Sequence, residues 1–132
     1  FVLAATSNPD AVRLQAALAG HVTVAAAIAH EVASDNAAAD DRADEWHDVG
    51  LVVGATVDRA AVGLADALLE RTPVLAPGFG AQGARLVDID RLYGAAAPHV
   101  LASASRSILA AGPGGLAAAI DAHRGELEDT LG

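Results

Sequence analysis

The apolar residues of this chain alternate between two patterns. Short continuous runs read as buried strands: residues 1–5, 50–54, 73–76 and 99–103. Between them, apolar residues recur at helical spacing. Val12, Leu14, Ala17 and Leu18 predict a short helix, opened by Asn8-Pro9-Asp10 as cap, first-turn proline and first-turn acid, and closed by Gly20. Val24, Ala27, Ile28 and Val32 predict a second helix, from about residue 21 or 23 to 33. Val62, Leu64, Ala65, Leu68 and Leu69 predict a third over 59–71, stopped by Thr72-Pro73. A short helix over 86–93 ends at Gly94, and another begins at Ile108 and stops at Gly112-Pro113-Gly114-Gly115. Residues 116–131 predict a closing helix with Leu116, Ala119, Ile120, His123 and Leu127 on one side.

Strand, polar exit and helix thus recur four times, at about 33 residues per unit. That is close to the spacing of a (β/α)8 TIM barrel, in which eight units take ~250 residues. Four units make half a barrel, a piece that exposes two sheet edges and is aggregation-prone alone. The alternative is a complete four-stranded doubly wound sheet. The chain opens inside an apolar run at Phe1 and contains no methionine, so the expectation is a half barrel truncated at its amino terminus, with residues 1–132 forming part of one domain.

Composition narrows the functions. Apolar content is 53%, much of it alanine, and only Phe1, Trp46, Phe79 and Tyr93 are aromatic, which fits close packing through small side chains. All eight side-chain cations are arginines, and the net charge of -9 argues against nucleic acid as a partner. Cysteine is absent, which removes disulfides, thiolate chemistry and cysteine-based zinc sites. No apolar stretch has the length of a membrane span, and no basic segment precedes an apolar core as in a signal peptide.

In parallel α/β folds, ligands meet the carboxyl ends of the strands. Here those ends are Thr6-Ser7-Asn8, Gly54-Ala55-Thr56, Pro77 to Gly83, and Ser103 to Ser107, all small, polar or glycine. The loops at the opposite ends have no comparable cluster. Pro77-Gly78-Phe79-Gly80-Ala81-Gln82-Gly83 reads either as a phosphate grip of free N–H groups with a glutamine finger, or as a turn that needs positive φ. The asymmetry between the two rims favours the grip. Arg106, flanked by Ser105 and Ser107 just after a strand, is a phosphate clamp or a surface arginine lying along the rim. Ser7 either hydrogen-bonds a ligand edge or shares capping with Asn8. Ser103, Ser105 and His99 lack a Gly-x-Ser-x-Gly elbow, and His30-Glu31 lacks the second histidine of a zincin. The stretch from Asp35 to Asp48, with Asp40, Asp41, Asp44, Glu45 and His47, reads as a solvated helix continuation or surface loop rather than a metal site. Trp46 reads as a packing residue.

Taken in order, Thr6-Ser7-Asn8-Pro9, Val53-Gly54-Ala55-Thr56, Ala76 to Gly83 and Ser105-Arg106-Ser107-Ile108-Leu109 resemble the later strand ends of the orotidine 5′-phosphate decarboxylase family, in its longer bacterial subgroup. The likeness spans nearly the whole chain but only the carboxyl-terminal half of such an enzyme. It implies a (β/α)8 barrel of which this chain supplies about the last four units. It also implies a homodimer, no metal or organic cofactor, a cytoplasmic setting, and decarboxylation of orotidine monophosphate to uridine monophosphate in pyrimidine biosynthesis. By the same resemblance, Gln82 and Arg106 hold the 5′-phosphate with backbone N–H groups near Gly83 and Ser105. Ser7 would meet the pyrimidine, and Pro77 and Phe79 would flank the ligand. The family's catalytic lysine and aspartate network comes from earlier strands. This chain has no lysine, so it is expected to do no chemistry alone. Two other readings stay open: another phosphate-binding barrel enzyme, and a non-catalytic nucleotide-binding α/β module.

Overall fold

A computed structural model of the chain describes residues 1–39 and 46–132. The elements are β1 (Val2–Ala5), α1 (Pro9–Gln15), β2 (Leu18–Ala19), β3 (Val22–Thr23), α2 (Val24–Ala39), β4 (Leu51–Val53), β5 (Val74–Pro77), α3 (Ile89–Tyr93), β6 (Val100–Ser103), α4 (Ser105–Leu109) and α5 (Gly112–Leu131). Single 3₁₀ segments cover Asp66–Leu68, Leu86–Asp88 and Gly94–His99.

The four apolar runs form one parallel sheet in the order β1-β4-β5-β6. Chain order and spatial order agree, so these four strands contain no reversal of the kind that marks a doubly wound sheet. Side chains alternate across a strand, and the two faces here differ in cover. Leu51, Val53, Val74 and Ala76 are fully buried, in one core with Ala25, Ala29 and Val32 of α2 and with Leu64, Leu69, Ile89 and Tyr93. The opposite row is Leu3, Val52, Leu75 and Leu101, matched in register across all four strands. It is equally apolar, yet Leu3 is 55% and Leu101 42% exposed.

Buried polar side chains stitch the layers together. Asn36 near the end of α2 donates to Val49 O (2.9 Å) and accepts from Val49 N (3.0 Å), fixing the entry to β4. Gln15 does the same at the exit of β1. With its amide oriented by its partners, it accepts from Thr6 N (3.0 Å) and donates to Thr6 O (3.2 Å). Tyr93 donates its hydroxyl to Val53 O (2.8 Å), and Arg59 lies 5.7 Å from its ring centroid while bonding Leu92 O (2.9 Å) and Asp66 (2.8 Å). Burial pushes the Tyr93 phenol above its ordinary range, against a smaller opposing pull from the Arg59 cation.

Several helical expectations need correction. The stretch 59–71 is not a helix. A single turn ends at Gly63 (φ +72), with Gly63 N bonding Ala60 O and Leu64 N bonding Arg59 O, the paired bonds of a Schellman motif. Only the 3₁₀ segment Asp66–Leu68 follows. The first helix stops at Gln15, because Leu18–Ala19 pairs with Val22–Thr23 in a small hairpin turned by Gly20 (φ +71) and His21. Thr23 then caps α2 through Ala26 N (3.1 Å) and donates to Val62 O (2.5 Å). The helix α2 runs on through Asp35 to Ala39, so the acidic stretch begins as helix. Asp40, Asp41, Asp44 and Glu45 lie outside the described residues. Trp46 is 45% exposed and meets His99 edge-on at 5.7 Å. The helix α4 stops at Leu109, ahead of the left-handed Gly112 (φ +67), and the Gly112–Gly115 run then opens α5, with Pro113 in the first turn, where its missing N–H costs nothing. Among the described residues, no cluster of three or more histidine or acidic side chains is placed to hold a metal, and no helix is long and apolar enough to cross a membrane.

Candidate functional site

The strand β5 ends at Pro77, and the chain enters the glycine loop with three left-handed backbones: Gly78 (φ +125), Gly80 (φ +70) and Gly83 (φ +105). The loop closes on itself. Gly80 N bonds Ala84 O (2.8 Å), Gly83 N bonds Gly80 O (2.9 Å) and Ala84 N bonds Gly78 O (3.2 Å). Phe79 is 2% exposed and roots the loop in the core. A Cβ on Gly80 would stand 2.6 Å from Ser107 Oγ, so the loop rests directly on α4.

This arrangement corrects one expectation. The N–H groups of Gly80, Gly83 and Ala84 are committed inside the loop and do not form an open anion nest. What the loop presents outward is the Gln82 side chain, exposed and with no hydrogen bond of its own among the described residues.

Two cavities meet along the carboxyl ends of the strands. One, of about 160 Å³, is lined by Pro77, Gly78, Phe79, Gln82, Ser103, Ser105 and Arg106. Arg106 is its one charged group, exposed and without an ion pair or hydrogen bond to its guanidinium among the described residues. Ser103 and Ser105 face one another there, their hydroxyls 3.3 Å apart. The second, of about 350 Å³, lies over β1 and β4 and is lined by Ser7 with Thr6, Asn8, Gly54, Val52, Leu3 and Ala5. Pro77 and Gln82 line both, so the two adjoin at the glutamine.

Ser7 is exposed at the mouth of the larger cavity. Its neighbours are occupied: Thr6 Oγ1 donates to Asn8 Oδ1 (2.5 Å), and Gln15 holds the Thr6 backbone. Asn8 makes no side-chain cap on α1, contrary to expectation, because its carboxamide oxygen is taken by Thr6. Of the residues singled out in the sequence, Phe79, Ser105 and Arg106 line the smaller cavity, Ser7 the larger, and Pro77 and Gln82 both, whereas Gly83 lines a separate groove beside α5. The sequence reading missed Gln15, Ser107 and His123, which support the cleft from behind. A buried glutamine on a short helix leaves no local mark, since its partner lies nine residues back.

No family model and no solved structure matches the chain. Curated proteins do. The chain is 46% identical over 114 residues to an orotidine 5′-phosphate decarboxylase of Salinispora arenicola, covering 86% of this chain. It is 43% identical over 113 residues to the one of Nocardioides sp., and 39% identical over 115 residues to that of Streptomyces coelicolor. In each case the match takes up 38% of the relative's length. The resemblance carried by the four strand ends is borne out by these relatives.

Proposed function

We propose that this chain is the phosphate- and pyrimidine-holding part of an orotidine 5′-phosphate decarboxylase. The observation that carries the reading is the placement of Gln82 and Arg106 in one cavity, adjoining the cavity of Ser7 across a shared wall. Two adjoining subsites, whose cation and hydroxyl have no partner among the described residues, suit a mononucleotide whose phosphate and base are separated by a ribose.

In this reading Arg106 gives the phosphate charge-assisted hydrogen bonds, and the Gln82 amide donates to another of its oxygens. Ser105 closes that end of the cleft. Ser7 bonds a polar edge of the pyrimidine, and Pro77 is the common wall, backed by Phe79 from the core. The reaction breaks the bond between C6 and the carboxylate carbon. CO₂ leaves, the electron pair stays on C6, and a proton is added there. A chain without lysine does not supply the family's proton donor, so its own part is to hold the phosphate and aim the ring. Binding energy far from the reacting carbon lowers the barrier by fixing the ring against the charged groups.

The fold we propose is a (β/α)8 barrel of which this chain forms one half. Two features support it: a parallel sheet that advances by one strand at each step, and an apolar row on which Leu3 and Leu101 stand exposed among the described residues. In a closed barrel that face is the packed interior. A cytoplasmic homodimer is the form we propose for the whole enzyme.

Turnover assays test the reading. The full-length protein should convert orotidine monophosphate to uridine monophosphate and CO₂, Arg106→Ala should raise KM strongly, and residues 1–132 alone should be inactive. A full-length protein without decarboxylase activity would favour a different phosphate-binding barrel enzyme.

A further inference from the structure

The helix α5 has no fully buried residue, yet one of its side chains reaches the support of the glycine loop. His123 Nδ1 lies 2.7 Å from Ala119 O, one turn earlier. A carbonyl oxygen only accepts, so Nδ1 carries the hydrogen. In the neutral ring Nε2 is then an acceptor, and it lies 3.1 Å from Ser107 Oγ on α4. Ser107 also lies 2.8 Å from Ala104 O and shares its one hydroxyl hydrogen between the two. It is the same hydroxyl on which Gly80 rests. Arg106 is the preceding residue of α4, and Gln82 follows Gly80 by two.

We propose that His123 is a positioning residue for the phosphate grip. By fixing Ser107, it sets the spacing between α4 and the glycine loop, and so the spacing of the Arg106 and Gln82 side chains. This rests on reading their shared cavity as the phosphate subsite. The competing account is that the contact only holds α4 against α5. On that account its removal changes stability and leaves ligand affinity alone. His123 borders an open groove of about 490 Å³, shared with Gly83, Arg85, Leu86 and Glu126, so shortening it takes little from the core.

The test is calorimetric titration of the full-length protein with uridine monophosphate and, separately, uridine. The proteins are wild type, His123→Ala, His123→Gln, Ser107→Ala and the double alanine variant. His123→Ala should weaken the monophosphate about fivefold, the worth of one neutral hydrogen bond, and leave uridine unchanged. His123→Gln, whose Oε1 reaches the place of Nε2, should keep most of the affinity. Ser107→Ala should lose at least as much as His123→Ala, since it also removes the bond to Ala104 O, and the double variant no more than Ser107→Ala, because the shared contact is already gone. Unchanged monophosphate affinity in His123→Ala, or an equal loss for both ligands, overturns the inference. Should His123→Ala fail to fold, Ser107→Ala decides by the same criteria. A wild type that does not prefer the monophosphate to uridine overturns the phosphate reading and this inference together. A wild type that does, beside an unaffected His123→Ala, overturns this inference alone.

Discussion

Replacing Tyr93 by phenylalanine should produce a stability difference that vanishes with rising pH. Tyr93 is 1% exposed and donates to Val53 O at 2.8 Å, at the end of β4 that borders the cleft. Phenylalanine keeps the ring and removes the donor, leaving that carbonyl without this partner. The cost at neutral pH is about 1–2 kcal/mol. Burial raises the phenol in the folded chain above its unfolded value of about 10. Above that pH the unfolded chain releases a proton that the folded chain keeps. Stability of the wild type therefore falls there by about 1.4 kcal/mol per pH unit, and that of Tyr93→Phe does not fall on this account. The two stabilities should converge roughly one pH unit above 10. The chain has no lysine, no cysteine and no second tyrosine, so no other side chain titrates in that window. Urea unfolding of both proteins at a series of pH values from neutral to alkaline measures the difference directly. A constant gap across the series would refute the reasoning, since it would mean that the phenol ionises alike in folded and unfolded chains.

Other outcomes follow from the same contacts. Gly80→Ala should cost about 1–3 kcal/mol, from its positive φ and from a Cβ placed 2.6 Å from Ser107 Oγ. Ser107→Gly in the same chain should restore part of that loss in chemical denaturation. Asn36→Ala strips partners from both Val49 N and Val49 O and should cost about 2–4 kcal/mol, read as a lower urea midpoint with an unchanged slope. Leu101→Thr should reduce self-association of residues 1–132 in sedimentation, because the side chain is 42% exposed on the open face. In the full-length protein the same change should destabilise by about 1–3 kcal/mol, since the proposed barrel interior buries it. Equal behaviour in the two contexts would count against the half barrel.

The parallel sheet was legible because each strand is a short apolar run ended by a polar or glycine exit, and both signals are local. The helices were less so. Leu64, Ala65, Leu68 and Leu69 keep helical spacing beyond Gly63, but one left-handed glycine with two Schellman bonds ends the turn before that periodicity can act. Leu18 looked like the last residue of a helix, and pairing with Thr23 made it a strand. At the site, the residue types at the strand ends were enough to bring Arg106 and Ser7 to two adjoining cavities that share Gln82. The use of the loop's own N–H groups was not legible, because whether Gly83 N faces a ligand or Gly80 O depends on backbone angles that glycine leaves free. The supports behind the cleft, Gln15 to Thr6 and His123 to Ser107, bridge nine and sixteen residues, beyond the reach of local pattern.

The most direct measurement is the affinity of Arg106→Ala in the full-length protein for uridine monophosphate and for uridine. The monophosphate should weaken by about 10- to 100-fold, the worth of a charge-assisted hydrogen bond, while uridine binds as in wild type. Equal monophosphate affinity in variant and wild type would remove Arg106 from the site and with it the central claim.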